Sequence, residues 1–142
     1  MEFTLKVKRL CAEAKLPSYA YPGDAGFDLC ASGERVLQVG EYGAVPTGLA
    51  FEIPEGFVGL IWDKSGLSIK KGLKTLAGVV DSGYRGEVLV GMINLGKEPH
   101  IFKGGEKVAQ MLIQKVERPE IMEVENLNET QRGEKGFGSS GK

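Results

Sequence analysis

The feature that most limits the fold is a series of short apolar runs, each bounded by glycine, proline or polar turn residues. Two runs of six residues, at 57–62 and 88–93, are rich in valine, leucine and isoleucine. Residues 3–7 alternate apolar and polar side chains, and two more runs lie at 108–116 and 121–124. Such runs are typical of β-strands, and the 21 glycines and 6 prolines supply the turns between them. The sequence therefore predicts an all-β barrel or sandwich.

One short helix is expected directly after the run at 57–62. Ser65 suits the N-cap position of this helix, and Gly72 suits the position just beyond its last turn. There is no internal repeat and no linker that would split the chain. We therefore predict one domain over residues 1–131, followed by a glycine-rich C-terminal arm over residues 132–142.

Charge and composition argue against several classes of protein. Lysine and arginine number 18 and aspartate and glutamate 19, so the basic excess of a protein that coats nucleic acid is missing. One histidine and two cysteines, Cys11 and Cys30, cannot form a Cys/His zinc cluster within one chain. We expect free thiols in a reducing compartment, with a Cys11–Cys30 disulfide as the alternative. No apolar run approaches 18 residues and no signal peptide is recognised, so we expect a cytoplasmic protein that binds no membrane.

Three internal features suggest chemistry, and each has an ordinary structural alternative. Asp28 lies between apolar neighbours and is either a functional carboxylate or the outward residue of a strand. Lys64, Ser65 and Gly66 stand at the expected helix start, where a cation, a hydroxyl and free N–H groups bind anions; the alternative is an ordinary cap beside a surface lysine. Asp81 ends an apolar strand and is either a general base or the first residue of an Asx turn.

The C-terminal arm is the fourth feature. Residues 136–142 match the spacing G-x-x-x-x-G-K of a phosphate-binding loop, but the helix and the Ser/Thr that this motif requires do not follow. The arm is therefore not the core of a nucleotide-binding domain. With Arg132, glycine amides and the single aromatic Phe137, it could instead close over a phosphorylated ligand; the alternative is a disordered terminus.

Taken in order, these segments resemble five motifs of the trimeric dUTPase family, from about residue 22 to residue 141. They read Ala-Gly-Phe-Asp-Leu at 25–29, Lys-Ser-Gly-Leu at 64–67, Gly-Val-Val-Asp-Ser-Gly-Tyr-Arg-Gly at 78–86, Gly-Glu-Lys-Val-Ala-Gln at 105–110, and Arg-Gly at 132–133 with Gly-Phe-Gly-Ser-Ser-Gly at 136–141. The resemblance implies a jelly-roll-like β-barrel that assembles as a homotrimer. It also implies that each active site takes motifs from three chains, and that the arm of one chain closes over the others.

The resemblance further implies a reaction and a role for each residue. The reaction would be the Mg²⁺-assisted hydrolysis of dUTP to dUMP and pyrophosphate, which keeps uracil out of DNA and supplies dUMP for dTMP synthesis. Asp81 would activate the water that attacks the α-phosphorus, Tyr84 would lie against the deoxyribose, and Asp28 would act on the metal through water. Uracil would be bound by Gly78, Val79, Val80 and Leu89 and stacked on Phe137. The phosphates would be held by Lys64, Ser65, Gly66, Gln110, Arg132, Gly138 and Ser139.

The chain departs from the family pattern at a few positions. Lys64 stands where arginine is usual, which keeps the charge but loses the bidentate fork. Gly83 stands where the family motif often has a second acidic residue, and Ser140 stands where threonine is common.

Two other functions compete with hydrolysis. A dCTP deaminase shares the fold but needs a glutamate beside the pyrimidine, for which the sequence offers no good candidate. A non-catalytic nucleotide sensor is disfavoured because Asp81, Tyr84, Gln110 and the arm are all present. A regulatory role in addition to catalysis stays open.

Overall fold

A computed structural model describes residues 3–141 and shows an all-β fold, as predicted. Met1, Glu2 and Lys142, which the predicted domain and arm include, lie outside the described residues. The first strands are β1 (Lys6–Arg9), β2 (Phe27–Cys30), β3 (Arg35–Leu37), β4 (Tyr42–Pro46), β5 (Leu49–Glu52) and β6 (Phe57–Trp62). The helix α1 (Ser65–Lys71) follows, and then β7 (Leu73–Leu76), β8 (Val79–Val80), β9 (Leu89–Asn94), β10 (His100–Phe102) and β11 (Lys107–Lys115).

The strands form four antiparallel sheets. The largest has the order β2-β11-β6-β8, a three-stranded sheet has the order β4-β9-β7, and two pairs join β1 to β5 and β10 to β3. The predicted barrel is not closed by continuous hydrogen bonding in the described chain. Most strands have only two to six residues, so glycine turns and bends interrupt the ladders before they meet.

One apolar core lies between the sheets. Alternate side chains of β9 point inward, because Val90 and Met92 are buried while Leu89 is half exposed. Residues from β2 and β11, among them Leu29 and Met111, are buried in the same cluster. The buried Asn94 side chain donates hydrogen bonds to the carbonyls of Leu37 and Glu98 at 3.0 and 2.8 Å, so this polar group is satisfied inside the core.

The helix lies where the sequence predicts it, but its first turn differs from the expectation. Lys64 occupies the N-cap position, Ser65 is the first helical residue, and no side chain caps the helix. The prediction of Ser65 as N-cap was therefore wrong by one residue. At the other end Gly72 has a left-handed conformation (φ 73°), as predicted, and its N–H bonds the Ser68 carbonyl at 3.0 Å. Within residues 3–141, this seven-residue helix is too short and too polar to span a bilayer.

Two predicted strands differ from the structure. The alternating run at 3–7 pairs with β5 only from Lys6 onward. The run at 121–124 forms no strand, and Ile121 is 96% exposed. Beyond Val116, nearly every residue of the described chain is exposed. Apolar residues form a strand only where a partner strand supplies hydrogen bonds and a surface to cover, and residues 3–141 of this chain offer no such partner.

Candidate active site

Residues 77–89, called the β8–β9 loop, connect β8 to β9, which lie in two different sheets, and line a pocket of about 260 Å³. Six of the predicted site residues line it: Gly78, Val79, Val80, Asp81, Tyr84 and Leu89. The structure therefore brings together Asp81, assigned to the attacking water, and all the residues assigned to the nucleoside except Phe137.

A close contact between two backbone segments fixes the start of the β8–β9 loop. Gly78 has φ 117°, and its carbonyl accepts a hydrogen bond from the Ile61 N–H at 2.8 Å. A Cβ at Gly78 would lie 2.8 Å from the Ile61 carbonyl oxygen, closer than real Cβ contacts. The preceding Ala77 also has a positive φ of 59°. Glycine is therefore required at position 78 by both conformation and space.

The turn after β8 holds Asp81 and Tyr84 in fixed relation. The Tyr84 N–H donates to the Asp81 carbonyl at 3.1 Å, and the Tyr84 hydroxyl donates to the Glu87 carbonyl at 2.8 Å. The bond to Glu87 anchors the tyrosine ring to the end of the β8–β9 loop, just before β9. The Asp81 side chain makes no hydrogen bond to any described residue, so the Asx-turn alternative is not what forms this turn.

Hydrogen bonds tie the end of the β8–β9 loop, just before β9, to the body of the molecule. The Glu87 carboxylate accepts a hydrogen bond from the Gly48 N–H at 3.0 Å, and the Val88 N–H donates to the Leu49 carbonyl at 2.8 Å. Thr47 is fully buried and donates its hydroxyl hydrogen to the Val88 carbonyl at 2.7 Å. These bonds hold the pocket to the corner between β4 and β5.

A second pocket, of about 440 Å³, lies between the start of α1 and β11. Ser65 and Gln110, both assigned to phosphate binding, line it together with Asp63 and Trp62. The Gln110 amide donates to the Asp63 carbonyl at 2.9 Å, which positions one side of that amide and leaves its second hydrogen available. Gly66 follows Ser65, and a Cβ there would meet nothing within 4 Å. The two pockets share no lining residue, so one chain does not form a continuous site.

Lys64 lies on Asp28 rather than in either pocket. Its ammonium is 2.5 Å from Asp28 Oδ1, and the Lys107 ammonium is 3.0 Å from Oδ2 in an ion pair that lacks good hydrogen-bond direction. The Asp28 side chain is only 5% exposed. Burial raises the pKa of the Asp28 carboxyl, but the two lysines outweigh burial and hold the pKa below its ordinary value.

The arm residues lie apart from both pockets. Arg132 Nε donates to the Lys135 carbonyl at 2.7 Å, and Phe137 is fully exposed with φ 52°. Gly138 has φ 93°, a conformation that favours glycine. The structure therefore does not bring Arg132, Phe137, Gly138 and Ser139 together with the other predicted site residues of the same chain.

The described part of the chain offers no ready metal site. No group of three or more His, Cys, Asp or Glu side chains within it is arranged to hold a metal ion. Because an ammonium lies on each oxygen of Asp28, this carboxylate does not fit direct coordination of a cation. The predicted role of Asp28, through water, stays a prediction.

Three residues of the site had no assigned role in the sequence analysis. Asp63 accepts the Thr75 N–H and the Lys74 ammonium, both at 2.7 Å, and its own carbonyl holds Gln110. Burial raises the pKa of the Asp63 carboxyl, but these partners hold it below its ordinary value. Lys107 pairs with Asp28, and the Glu87 carbonyl anchors Tyr84. These contacts join residues far apart in sequence or use backbone atoms, so no local motif predicts them.

Comparison with known proteins gives a consistent result. The family model described as dUTPase matches residues 12–141. A deoxyuridine 5′-triphosphate nucleotidohydrolase of Clostridium tetani is 42% identical over 143 residues, covering 99% of each chain. A protein of the same name from Mycolicibacterium vanbaalenii is 46% identical over 149 residues, covering 99% of this chain and 97% of the relative.

Solved structures are similar over nearly the whole chain. A point mutant of the dUTPase of Staphylococcus bacteriophage 80alpha, with dUpNHpp, superposes with a TM-score of 0.89 at 33% identity, covering 97% of this chain and 98% of that one. A point mutant of the dUTPase from phage phi11 of S. aureus, whose structure concerns the coordination of a structural Mg(II) ion, gives a TM-score of 0.82 at 28% identity. That match covers 87% of this chain and 98% of the phage chain.

Proposed function

The chain belongs to the dUTPase family and is a dUTP diphosphatase, and we propose that it hydrolyses dUTP through a water molecule activated by Asp81. One observation carries the mechanism: in the pocket of the β8–β9 loop, the Asp81 carboxylate has no hydrogen-bond partner among residues 3–141 and lies near a tyrosine anchored by its hydroxyl. Water attacks the α-phosphorus, Asp81 accepts its proton, and pyrophosphate leaves from dUMP. A positioned general base contributes about 10²–10⁴-fold to such a step.

The β8–β9 loop also fits recognition of the deoxynucleoside. β8 is the edge strand of its sheet, so backbone N–H and C=O groups on its outer side are available to bond the uracil edge. Val79 and Leu89 present exposed apolar side chains along the same pocket. The Tyr84 ring, held by its hydroxyl, would lie against the sugar and leave no space for a 2′-hydroxyl. A closed polar site of this kind rejects a base whose edge leaves its donors unpaired.

The phosphates are assigned to the second pocket and to the arm. Ser65, Gly66 and Gln110 would donate hydrogen bonds, and Lys64 and Arg132 would supply positive charge where the leaving group gains negative charge. The first turn of α1 is consistent with this assignment, since no side chain among the described residues caps it. Gly138 and Ser139 would reach the terminal phosphate, and Phe137 would stack on uracil.

Magnesium is proposed as part of the substrate, bound to the triphosphate. A divalent ion there reduces the charge that the lysines and arginine have to balance. The phage phi11 relative coordinates a structural Mg(II) ion, so a dUTPase similar to this chain binds Mg²⁺, although a structural ion is distinct from one on the triphosphate. The attack of water, its deprotonation by Asp81 and the departure of pyrophosphate do not depend on which residues would hold this ion.

We further propose a homotrimer with shared active sites. The two pockets of one chain share no lining residue, and none of residues 132–141 lines either of them. Exposed apolar side chains beyond β11, such as Ile121 and Leu127, give a second copy a surface to cover. The two free cysteines are consistent with a cytoplasmic location.

The decisive experiment measures pyrophosphate release from dUTP, dCTP, dTTP and UTP with Mg²⁺, for the wild type and Asp81→Asn. We expect release from dUTP alone and a loss of about 10²–10⁴-fold in the variant, with dUTP still bound. Binding without release by the wild type would instead indicate a sensor. Ammonia released from dCTP would indicate a deaminase.

A further inference from the structure

The cluster of Asp28, Lys64 and Lys107 carries one more positive charge than it needs for pairing. One carboxylate faces two ammonium groups, at 2.5 and 3.0 Å. The Asp28 side chain is almost fully buried, whereas the Lys64 and Lys107 side chains are 28% and 52% exposed. A buried carboxylate needs one close cation, so the second is available for another purpose.

A β-bulge brings Lys107 to this position. In the pairing of β11 with β2, Gln110 lies opposite Asp28 and Ala109 opposite Leu29, but the register then shifts so that Lys107 lies opposite Cys30. Residues three apart in a regular strand point to opposite faces. The extra residue of the bulge instead places Lys107 on the face shared by Gln110 and Asp28.

Resting on the proposed function, we propose that Lys107 is a positioning residue that keeps Asp28 paired while Lys64 binds the triphosphate. Lys64 cannot stay 2.5 Å from Asp28 and also move onto a phosphate in the neighbouring pocket. Leaving a buried carboxylate without a cation is strongly unfavourable, and that cost would oppose substrate binding. With Lys107 in place, Asp28 retains a partner when Lys64 leaves.

Lys107 acts through Lys64 and does not itself bind the phosphates. It does not line the pocket formed by Ser65 and Gln110, and its ammonium lies on the other oxygen of Asp28 from Lys64. Without Lys107, Asp28 would hold Lys64 more firmly, and the substrate would bind more weakly.

The test measures the Kd of dUpNHpp by calorimetry at about 0.15 M salt, where charges beyond about 8 Å are screened. Lys107→Met should weaken binding about tenfold, as expected for directly coupled charges, and Lys107→Arg should bind like the wild type. In a Lys64→Met background, adding Lys107→Met should cause no further loss, because the lysine to be released is gone.

A second background keeps the test decisive if Lys107→Met alone does not fold. In Asp28→Asn no carboxylate needs a cation, so Asp28→Asn with and without Lys107→Met should bind dUpNHpp equally. An unchanged Kd in Lys107→Met, or an equal loss in either background, would overturn the proposal, because Lys107 would then be idle or would contact phosphate directly. Pyrophosphate release by the wild type is followed separately, so failure of the hydrolytic function and of this inference are distinguishable.

Discussion

The two halves of the proposed active site are built in different ways. The proposed nucleoside half is the single β8–β9 loop, held by backbone hydrogen bonds and by the Tyr84 hydroxyl. The proposed phosphate half draws on β2, the end of β6, α1 and β11, with the C-terminal arm assigned to it, and the side chains of Asp28 and Asp63 tie these elements together. The β8–β9 loop is therefore formed within one chain, whereas the proposed phosphate half depends on long-range ion pairs, and both halves would need the arm of a neighbouring chain.

The largest expected effect comes from removing the arm. Deleting residues 132–142 should lower kcat/KM on the order of 10³-fold, because Arg132 and the lid over the nucleotide are lost together. The thermal unfolding temperature should not change, since the arm is exposed and packs on no part of the described body. A truncated protein that unfolds earlier would show that the arm belongs to the fold rather than to the site.

The second prediction tests whether the β8–β9 loop behaves as a rigid local unit. Gly78→Ala should destabilise the protein by about 3 kcal/mol, because it forces a strained φ and a clash with the Ile61 carbonyl. The displaced pocket should lower kcat/KM about 10²-fold. Urea unfolding at one protein concentration and dUTP turnover measure both effects.

Gly83→Ala is the matched control for this change. Gly83 lies in the same turn, but a Cβ there meets nothing within 4 Å and its φ is not positive. Its stability should remain within about 0.5 kcal/mol of the wild type. Equal losses in the two variants would mean that the turn tolerates no side chain at all, and that Gly78 has no special role.

The same difference explains how much of the site the sequence predicts. The residues of the β8–β9 loop are contiguous in sequence, so the apolar run, Asp81, the glycine turn and Tyr84 could be assigned together from their order. The helix at 65–71 and the strands at 57–62 and 107–115 likewise follow from local pattern and turn chemistry.

Other features depend on contacts that a local pattern does not specify. The pairing of Lys64 with Asp28 spans 36 residues, and the bulge that turns Lys107 toward Asp28 is set by strand register. The run at 121–124 has strand-forming residues but no partner strand within the described part of its own chain, so the predicted strand does not form. Ser65 is not the N-cap because Lys64 has the extended backbone conformation of that position and Ser65 is already helical.

A smaller effect is expected from the tyrosine anchor. Tyr84→Phe keeps the ring but loses the hydrogen bond to the Glu87 carbonyl, so kcat/KM for dUTP should fall by about fivefold or less. The looser ring should also reduce the preference for dUTP over UTP. Tyr42→Phe is the control, since that hydroxyl is exposed on β4 and bonds no described residue. An unchanged dUTP-to-UTP ratio in Tyr84→Phe would show that packing alone positions the ring.

The smallest effect concerns the side chains that tie the phosphate half together. Asp63→Asn keeps the backbone carbonyl that holds Gln110, so turnover should change little, but it loses the charge facing Lys74 and the Thr75 N–H. The expected loss of stability at pH 7 is about 1 kcal/mol. The folded pKa of Asp63 lies below its ordinary value of 3.8, so its contribution is present above pH 3.8 and disappears as the pH falls through the lower folded pKa. The difference in urea unfolding between wild type and variant should therefore shrink below pH 3.8, at fixed protein concentration. A difference that stays constant over this range would show that the hydrogen-bond geometry of the Asp63 side chain, and not its negative charge, stabilises the junction between β6 and β7.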